Sequence, residues 1–95
     1  MITEAALQRY FKRQCAAHKI YWRKLKFEGR RGAPDNLIAI TGRAMFVELK
    51  SPSGLGKLSK LQEREIGHMR DAGLDVRVIQ SKEEVDDIIK ELTDG

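Results

Sequence analysis

The chain has 95 residues, 41% of them apolar and 34% charged, with 18 Lys/Arg against 14 Asp/Glu and a formal net charge of +4. That length fits a single domain, residues 1–95, since domains usually run to roughly 100–150 residues, and the intermixed signs argue against disorder. One cysteine, Cys15, excludes a disulfide-framed secreted domain, and no apolar run approaches the ~18 residues of a membrane span, so the sequence reads as a soluble cytoplasmic protein. The charge is uneven. Up to Arg31 there are nine Lys/Arg and two acids, a surplus of seven, whereas the remainder holds nine basic and twelve acidic residues. A basic first third implies an anionic partner, nucleic acid foremost, unless it is only a solvated surface.

Thr3 is placed to cap a helix reaching about Ala17, with Leu7, Tyr10, Phe11 and Cys15 at i, i+3, i+4 spacing. Ile20 to Phe27 carries strand formers among basic residues, and Glu28 to Pro34, with two glycines and a proline, is a loop. Asn36 to Thr41 and Ala44 to Lys50 form a hairpin, Gly42-Arg43 supplying the glycine-first turn of type II′. Ser51 to Lys57 is a second loop. Its Gly54-Leu55-Gly56-Lys57 lacks the spacing of a phosphate loop, and Leu58 stands where a hydroxyl is needed. Ser59 and Gln62 have capping-box spacing at the start of a helix closed by Gly73. Leu74 to Gln80 alternates as a strand, and Ser81 with Glu84 makes a second capping box before Val85, Ile88, Ile89 and Leu92. The order is α-β-β-β-α-β-α, an α/β chain with a mixed sheet.

The hairpin concentrates the chemistry. Pairing Thr41 with Ala44 sets Asp35 opposite Lys50, Leu37 opposite Glu48 and Ala39 opposite Phe46. Asp35, Glu48 and Lys50 then share one face, the two carboxylates on a diagonal of roughly 7–8 Å between Cβ atoms. A three-residue turn would move Asp35 to the other face. Carboxylates so placed can share a divalent cation. Phosphodiester hydrolysis builds charge on non-bridging and leaving oxygens, which a hard cation such as Mg²⁺ neutralises while activating a bound water. Lys50 beside it can orient that water or stabilise the developing charge. On these three residues alone, a surface hairpin with a cross-strand Asp–Lys pair is the better explanation of the pattern.

Pro34-Asp35 followed by Glu48-Leu49-Lys50 resembles the Pro-Asp…Asp/Glu-x-Lys nuclease superfamily, whose restriction-endonuclease-like core has the order α-β-β-β-α-β. Gly32-x-Pro34-Asp35, then Phe46-Val47-Glu48-Leu49-Lys50-Ser51, Leu58-Ser59-x-Leu61-Gln62 and Ala72-Gly73-x-x-Val76 are similar to the VRR-Nuc domain, the viral replication and repair nucleases. The match spans nearly the whole chain, as in stand-alone members from phages and prophages. The resemblance implies Asp35, Glu48, Lys50 and Gln62 as catalytic residues, and Glu4, Asp35, Glu48 and the Leu49 carbonyl as metal ligands. Two assignments have competing explanations. Glu4 also suits the helix N-terminus, and Gln62 as a helix cap is hard to reconcile with a second role for the same side chain.

The expected function is a Mg²⁺-dependent DNA endonuclease, with Mn²⁺ able to substitute, selective for branched DNA such as four-way junctions. The expected phosphate contacts are Arg9, Lys12, Arg13, Arg23, Lys24, Lys26, Arg30, Arg31 and Lys57; no base-reading motif is evident. Cutting both strands of a junction favours a two-fold homodimer built on the first helix or first strand. No small-molecule cofactor or membrane contact is expected. The alternatives are a non-catalytic nucleic-acid-binding module and a nuclease of flap, nicking or RNA preference. His18 and His68 lack partners at zinc spacing, and Trp22 reads as a packing residue rather than a base-stacking one.

Overall fold

In the computed structural model, which describes residues 2–51 and 57–94, the elements are α1 (Glu4–Ala17), β1 (Tyr21–Lys24), β2 (Asn36–Ile40), β3 (Arg43–Leu49), α2 (Lys60–Asp71), β4 (Val76–Ile79) and α3 (Lys82–Asp94). The expected order holds. Most of the predicted loop after Ser51, from Pro52 to Gly56, lies outside the described residues.

The helix boundaries follow from local chemistry. The Thr3 hydroxyl accepts from Ala6 N–H at 3.1 Å, and Leu7, Phe11 and Cys15, one turn apart, are fully buried. Burial pushes the Cys15 thiol up to about 12, so it is a packing residue and not a nucleophile. Helix α1 closes with Lys19 at φ 57, Ile20 N–H bonding to Cys15 O at 2.8 Å and Lys19 N–H to Ala16 O at 3.2 Å. This is a Schellman closure without glycine. Helix α2 has the full reciprocal capping box of Ser59 and Gln62. At α3, Ser81 Oγ accepts from Glu84 N–H at 3.1 Å, but Glu84 reaches back to Gln80 N–H at 3.0 Å, one residue before the position a capping box requires.

The sheet order is β1-β2-β3-β4, antiparallel except for the parallel β3–β4 pair, which α2 connects. Alternation along the strands divides the core in two. Ile38, Met45, Val47, Leu49 and Ile79 pack with α1 and α3 on one face, and Phe46, Val76 and Val78 pack with Ile66 and Met69 of α2 on the other.

The hairpin register departs from the expectation. Ile40 pairs with Arg43 and Asn36 with Val47, so the two-residue turn is Thr41-Gly42 and not Gly42-Arg43. Both turn residues have positive φ, 46° and 80°, the I′ geometry whose twist matches the flanking strands. A glycine in second place serves that turn, and Thr41 accepts the strained first place. The register moves by two residues, which preserves the faces but changes the partners. Leu37 meets Phe46 rather than Glu48, and the register continued by one residue sets Asp35 opposite Glu48 rather than Lys50.

Candidate functional site

Glu48 rises from the α2 face of β3 and is only 6% exposed. Burial is the main cause raising its pKa to about 7, reinforced by Asp35 and, more weakly, Glu4, while Lys50 opposes the rise. Lys50 Nζ lies 3.5 Å from Glu48 Oε2. Gln62 Nε2 donates to the same oxygen at 3.4 Å. The other end of that amide, Oε1, accepts from Ser59 N–H at 2.9 Å. The sequence-based objection that Gln62 cannot both cap and serve the site therefore fails, because a primary amide has two distinct ends.

Asp35, just before β2, is where two clefts meet. One is lined by Lys26, Arg30, Arg31 and Gly32, the other by Glu4, Gln8, Lys24 and Leu49. Its backbone carbonyl is held by Leu25 N–H at 2.7 Å. Its Oδ2 takes Lys24 Nζ at 2.7 Å and its Oδ1 takes Asn36 Nδ2 at 2.9 Å. Glu4 is exposed in the first turn of α1 and lines the second of these clefts with Asp35. Among the described residues, no three Asp, Glu, His or Cys side chains form a group able to hold a metal ion. The oxygen donors closest to such a role are Asp35, Glu48 and the Leu49 backbone between Glu48 and Lys50.

The close approach of the Glu28–Pro34 loop to α2 depends on Gly32. At φ +84, a Cβ there would lie 2.5 Å from the Leu61 carbonyl oxygen and 2.8 Å from Gln62 N. Only glycine lets the chain leading to Asp35 touch the helix turn that presents Gln62.

The basic residues separate into groups. Lys24 belongs to the site itself, through Asp35 and through Gln8 Oε1 at 3.0 Å. Lys12 Nζ lies over the Trp22 ring at 4.9 Å and the Arg23 guanidinium over Tyr21 at 4.4 Å. Arg30 pairs with Glu65 at 3.4 Å. Arg9, Arg13, Lys26, Arg31 and Lys57 are exposed. Two residues escaped the sequence reading, Gln8 and Asn36. Asn36 shares the inward face of β2 with Ile38, where a polar side chain has to find partners; that position was the available signal.

A mixed sheet flanked by helices, with two acids and a lysine on the ends of adjacent strands, defines a restriction-endonuclease-like fold of nuclease type. No protein-family model matches the sequence, and no curated protein sequence does. A solved structure described as a VRR_NUC domain matches with a TM-score of 0.81 and 36% identity over 95% of this chain and 97% of that one. The chain belongs to the VRR_NUC family, and its domain is of nuclease type. No helix among the described residues is long and apolar enough to cross a membrane.

Proposed function

We propose that the protein is a metal-dependent DNA endonuclease of phage or prophage type, selective for branched DNA such as four-way junctions and acting in the cytoplasm as a two-fold homodimer, its 95 residues forming one domain. The observation that carries this reading is the hairpin register, which continued by one residue sets Asp35 opposite Glu48, with Lys50 and Gln62 both on Glu48. The donor chemistry fits Mg²⁺: two carboxylates and a carbonyl, all hard oxygens, leave several positions to water, as that ion prefers. Asp35, Glu48 and the Leu49 carbonyl would hold it, with Glu4 approaching from α1. Bound there, the ion would neutralise phosphoryl charge and lower the pKa of a bound water.

The chain's own residues supply the rest. Lys50, 14% exposed beside Glu48, places a positive charge where a non-bridging oxygen or attacking water would sit. Gln62 fixes Glu48 from the helix side. The cleft of Lys26, Arg30 and Arg31 next to Asp35 gives the phosphate backbone a cationic approach, and Arg9 and Arg13 are exposed on α1. Contacts of this kind follow backbone geometry rather than base sequence.

The test incubates the protein with four-way junction, flap, linear duplex and single-stranded DNA, in Mg²⁺, Mn²⁺ or chelator, beside Lys50→Ala. The expected result is metal-dependent cutting of the junction, lost in Lys50→Ala while salt-sensitive binding remains. Binding that never leads to cutting, with Lys50→Ala behaving as wild type, would make the protein a binding module instead.

A further inference from the structure

Asn36 is fully buried at the start of β2, paired with Lys24 of β1 and Val47 of β3, on the face covered by α1. Its Oδ1 accepts from Trp22 Nε1 at 3.0 Å and from Gln8 Nε2 at 2.9 Å. Its Nδ2 donates to Asp35 Oδ1 at 2.9 Å, with Gln8 Oε1 at 3.2 Å and the Val47 carbonyl at 3.3 Å as further acceptors. Gln8 Oε1 also takes Lys24 Nζ at 3.0 Å, and Lys24 returns to the other oxygen of Asp35.

The orientation of this network is forced by groups with only one hydrogen-bonding character. The Trp22 indole can only donate, so it must meet an oxygen of Asn36; the Lys24 ammonium can only donate, so it must meet an oxygen of Gln8. A carboxylate and a backbone carbonyl only accept, so they must meet the Asn36 nitrogen. An aspartate at position 36 would set a second carboxylate against Asp35, and a leucine would strand the buried indole N–H and the Gln8 amide. An asparagine satisfies all of these demands together. Among the described residues, no buried side-chain polar atom lacks a partner.

We infer that Asn36, backed by Gln8 and Trp22, is the positioning residue of Asp35: it fixes one carboxylate oxygen, Oδ1, from the core side, while Lys24 holds the other. This inference rests on the proposed metal-dependent reading of the site. The backbone of Asp35 is anchored by its carbonyl, but its side chain precedes the strand ladder, so without Asn36 its orientation is set by Lys24 alone, a long and 49%-exposed side chain. Outer partners of metal-binding carboxylates typically change metal affinity or activity 10–100-fold when removed.

The experiment measures Mn²⁺ affinity by electron paramagnetic resonance on the DNA-free protein, cleavage kinetics, and thermal stability for Asn36→Ser, Gln8→Ala and Trp22→Phe. Cys15→Ala, a core change in α1 outside the network, serves as the control for destabilisation. The expected result is a Mn²⁺ affinity about 10-fold lower in Asn36→Ser and several-fold lower in Gln8→Ala. Turnover should fall in parallel, KM for DNA should stay within about twofold, and Cys15→Ala should keep wild-type affinity at an equal loss of Tm. If Asn36→Ser does not fold, Gln8→Ala and Trp22→Phe carry the comparison. Unchanged Mn²⁺ affinity in the folded network variants, or an equal drop in Cys15→Ala, overturns the inference. A metal-free readout separates its failure from that of the nuclease reading. The Asn36 side-chain amide should exchange slowly by NMR and shift in Asp35→Asn, and solvent-rate exchange in the wild type overturns the positioning role even where Mn²⁺ binding fails for other reasons.

Discussion

Gln62 and Glu48 are joined through the outward half of an amide whose inward half closes a helix cap, Nε2 to Oε2 at 3.4 Å and Oε1 to the Ser59 N–H at 2.9 Å. Helix α2 and the buried acid of β3 are therefore aligned by one side chain, and substitutions can pull the two duties apart.

Gln62→Glu retains an acceptor for the cap but presents a second carboxylate to Glu48, whereas Gln62→Ala removes both contacts. Thermal unfolding at pH 5 should show a loss of about 0.5–1.5 kcal/mol in Gln62→Ala and a smaller one in Gln62→Glu. Cleavage should fall about tenfold or more in both. Wild-type cleavage by Gln62→Glu would show that the outward amide is dispensable.

Glu48 makes the metal-free protein sensitive to pH in an unusual direction. Its carboxyl titrates near 7 in the folded chain against an ordinary 4.5, so below 4.5 it is protonated whether folded or not and costs nothing. Between 4.5 and 7 the unfolded chain ionises first, and stability falls as pH rises until it levels off above 7. Denaturant unfolding in chelator should therefore find Glu48→Gln equal to wild type at pH 4 and more stable at pH 8 by on the order of 1–3 kcal/mol. Mg²⁺ should narrow the difference at pH 8.

Gly32→Ala tests the contact between the loop and α2. The added methyl meets Leu61 O at 2.5 Å on a backbone held at φ +84. Stability should fall by about 1–3 kcal/mol. The displaced first turn of α2 should also lower cleavage, as Gln62 leaves Glu48. Full activity together with reduced stability would show that the loop yields instead of the helix.

A different acid stabilises the far side of the sheet. Glu91 of α3 accepts from Arg77 at 2.8 and 3.0 Å and from Arg43 at 3.0 Å, and these bonds hold its carboxyl down at about 2. A depressed carboxyl contributes stability that is present above its ordinary 4.5 and lost as pH falls toward 2. Glu91→Gln should lower Tm at pH 7 and converge with wild type near pH 2. A constant difference across that range would assign the effect to packing.

Much of this arrangement was legible in the residues. Thr3, Ser59 and Ser81 announce helix starts through hydroxyls at fixed spacing, and the spacing of Leu7, Phe11 and Cys15 announces a buried stripe. These signals are local, as is the Pro34-Asp35 and Glu48-Leu49-Lys50 pattern. The hairpin register was not legible, because Thr41-Gly42 and Gly42-Arg43 both offer a glycine turn, and only the twist of the assembled strands favours a positive φ at Thr41. The Asn36 network joins α1, β1, β2 and β3, with Gln8 and Asn36 28 residues apart. Sequence spacing reports neighbours along one element, so Gln8, Trp22 and Lys24 gave no sign that they join one network with Asn36 behind Asp35.

The two kinds of strand pairing also set an order of assembly. The β2–β3 hairpin closes through two residues and so brings Asp35 and Glu48 together at small entropic cost, while β4 reaches β3 only after the intervening segment and α2 have been gathered in. Pulsed hydrogen exchange during refolding should protect β2 and β3 amides before those of β4. The two acids would then face each other before Gln62 arrives, with the charge of the site assembled and the helix that steadies it still absent. A divalent ion present at that stage would relieve their repulsion and act on the rate of folding as well as on the finished site.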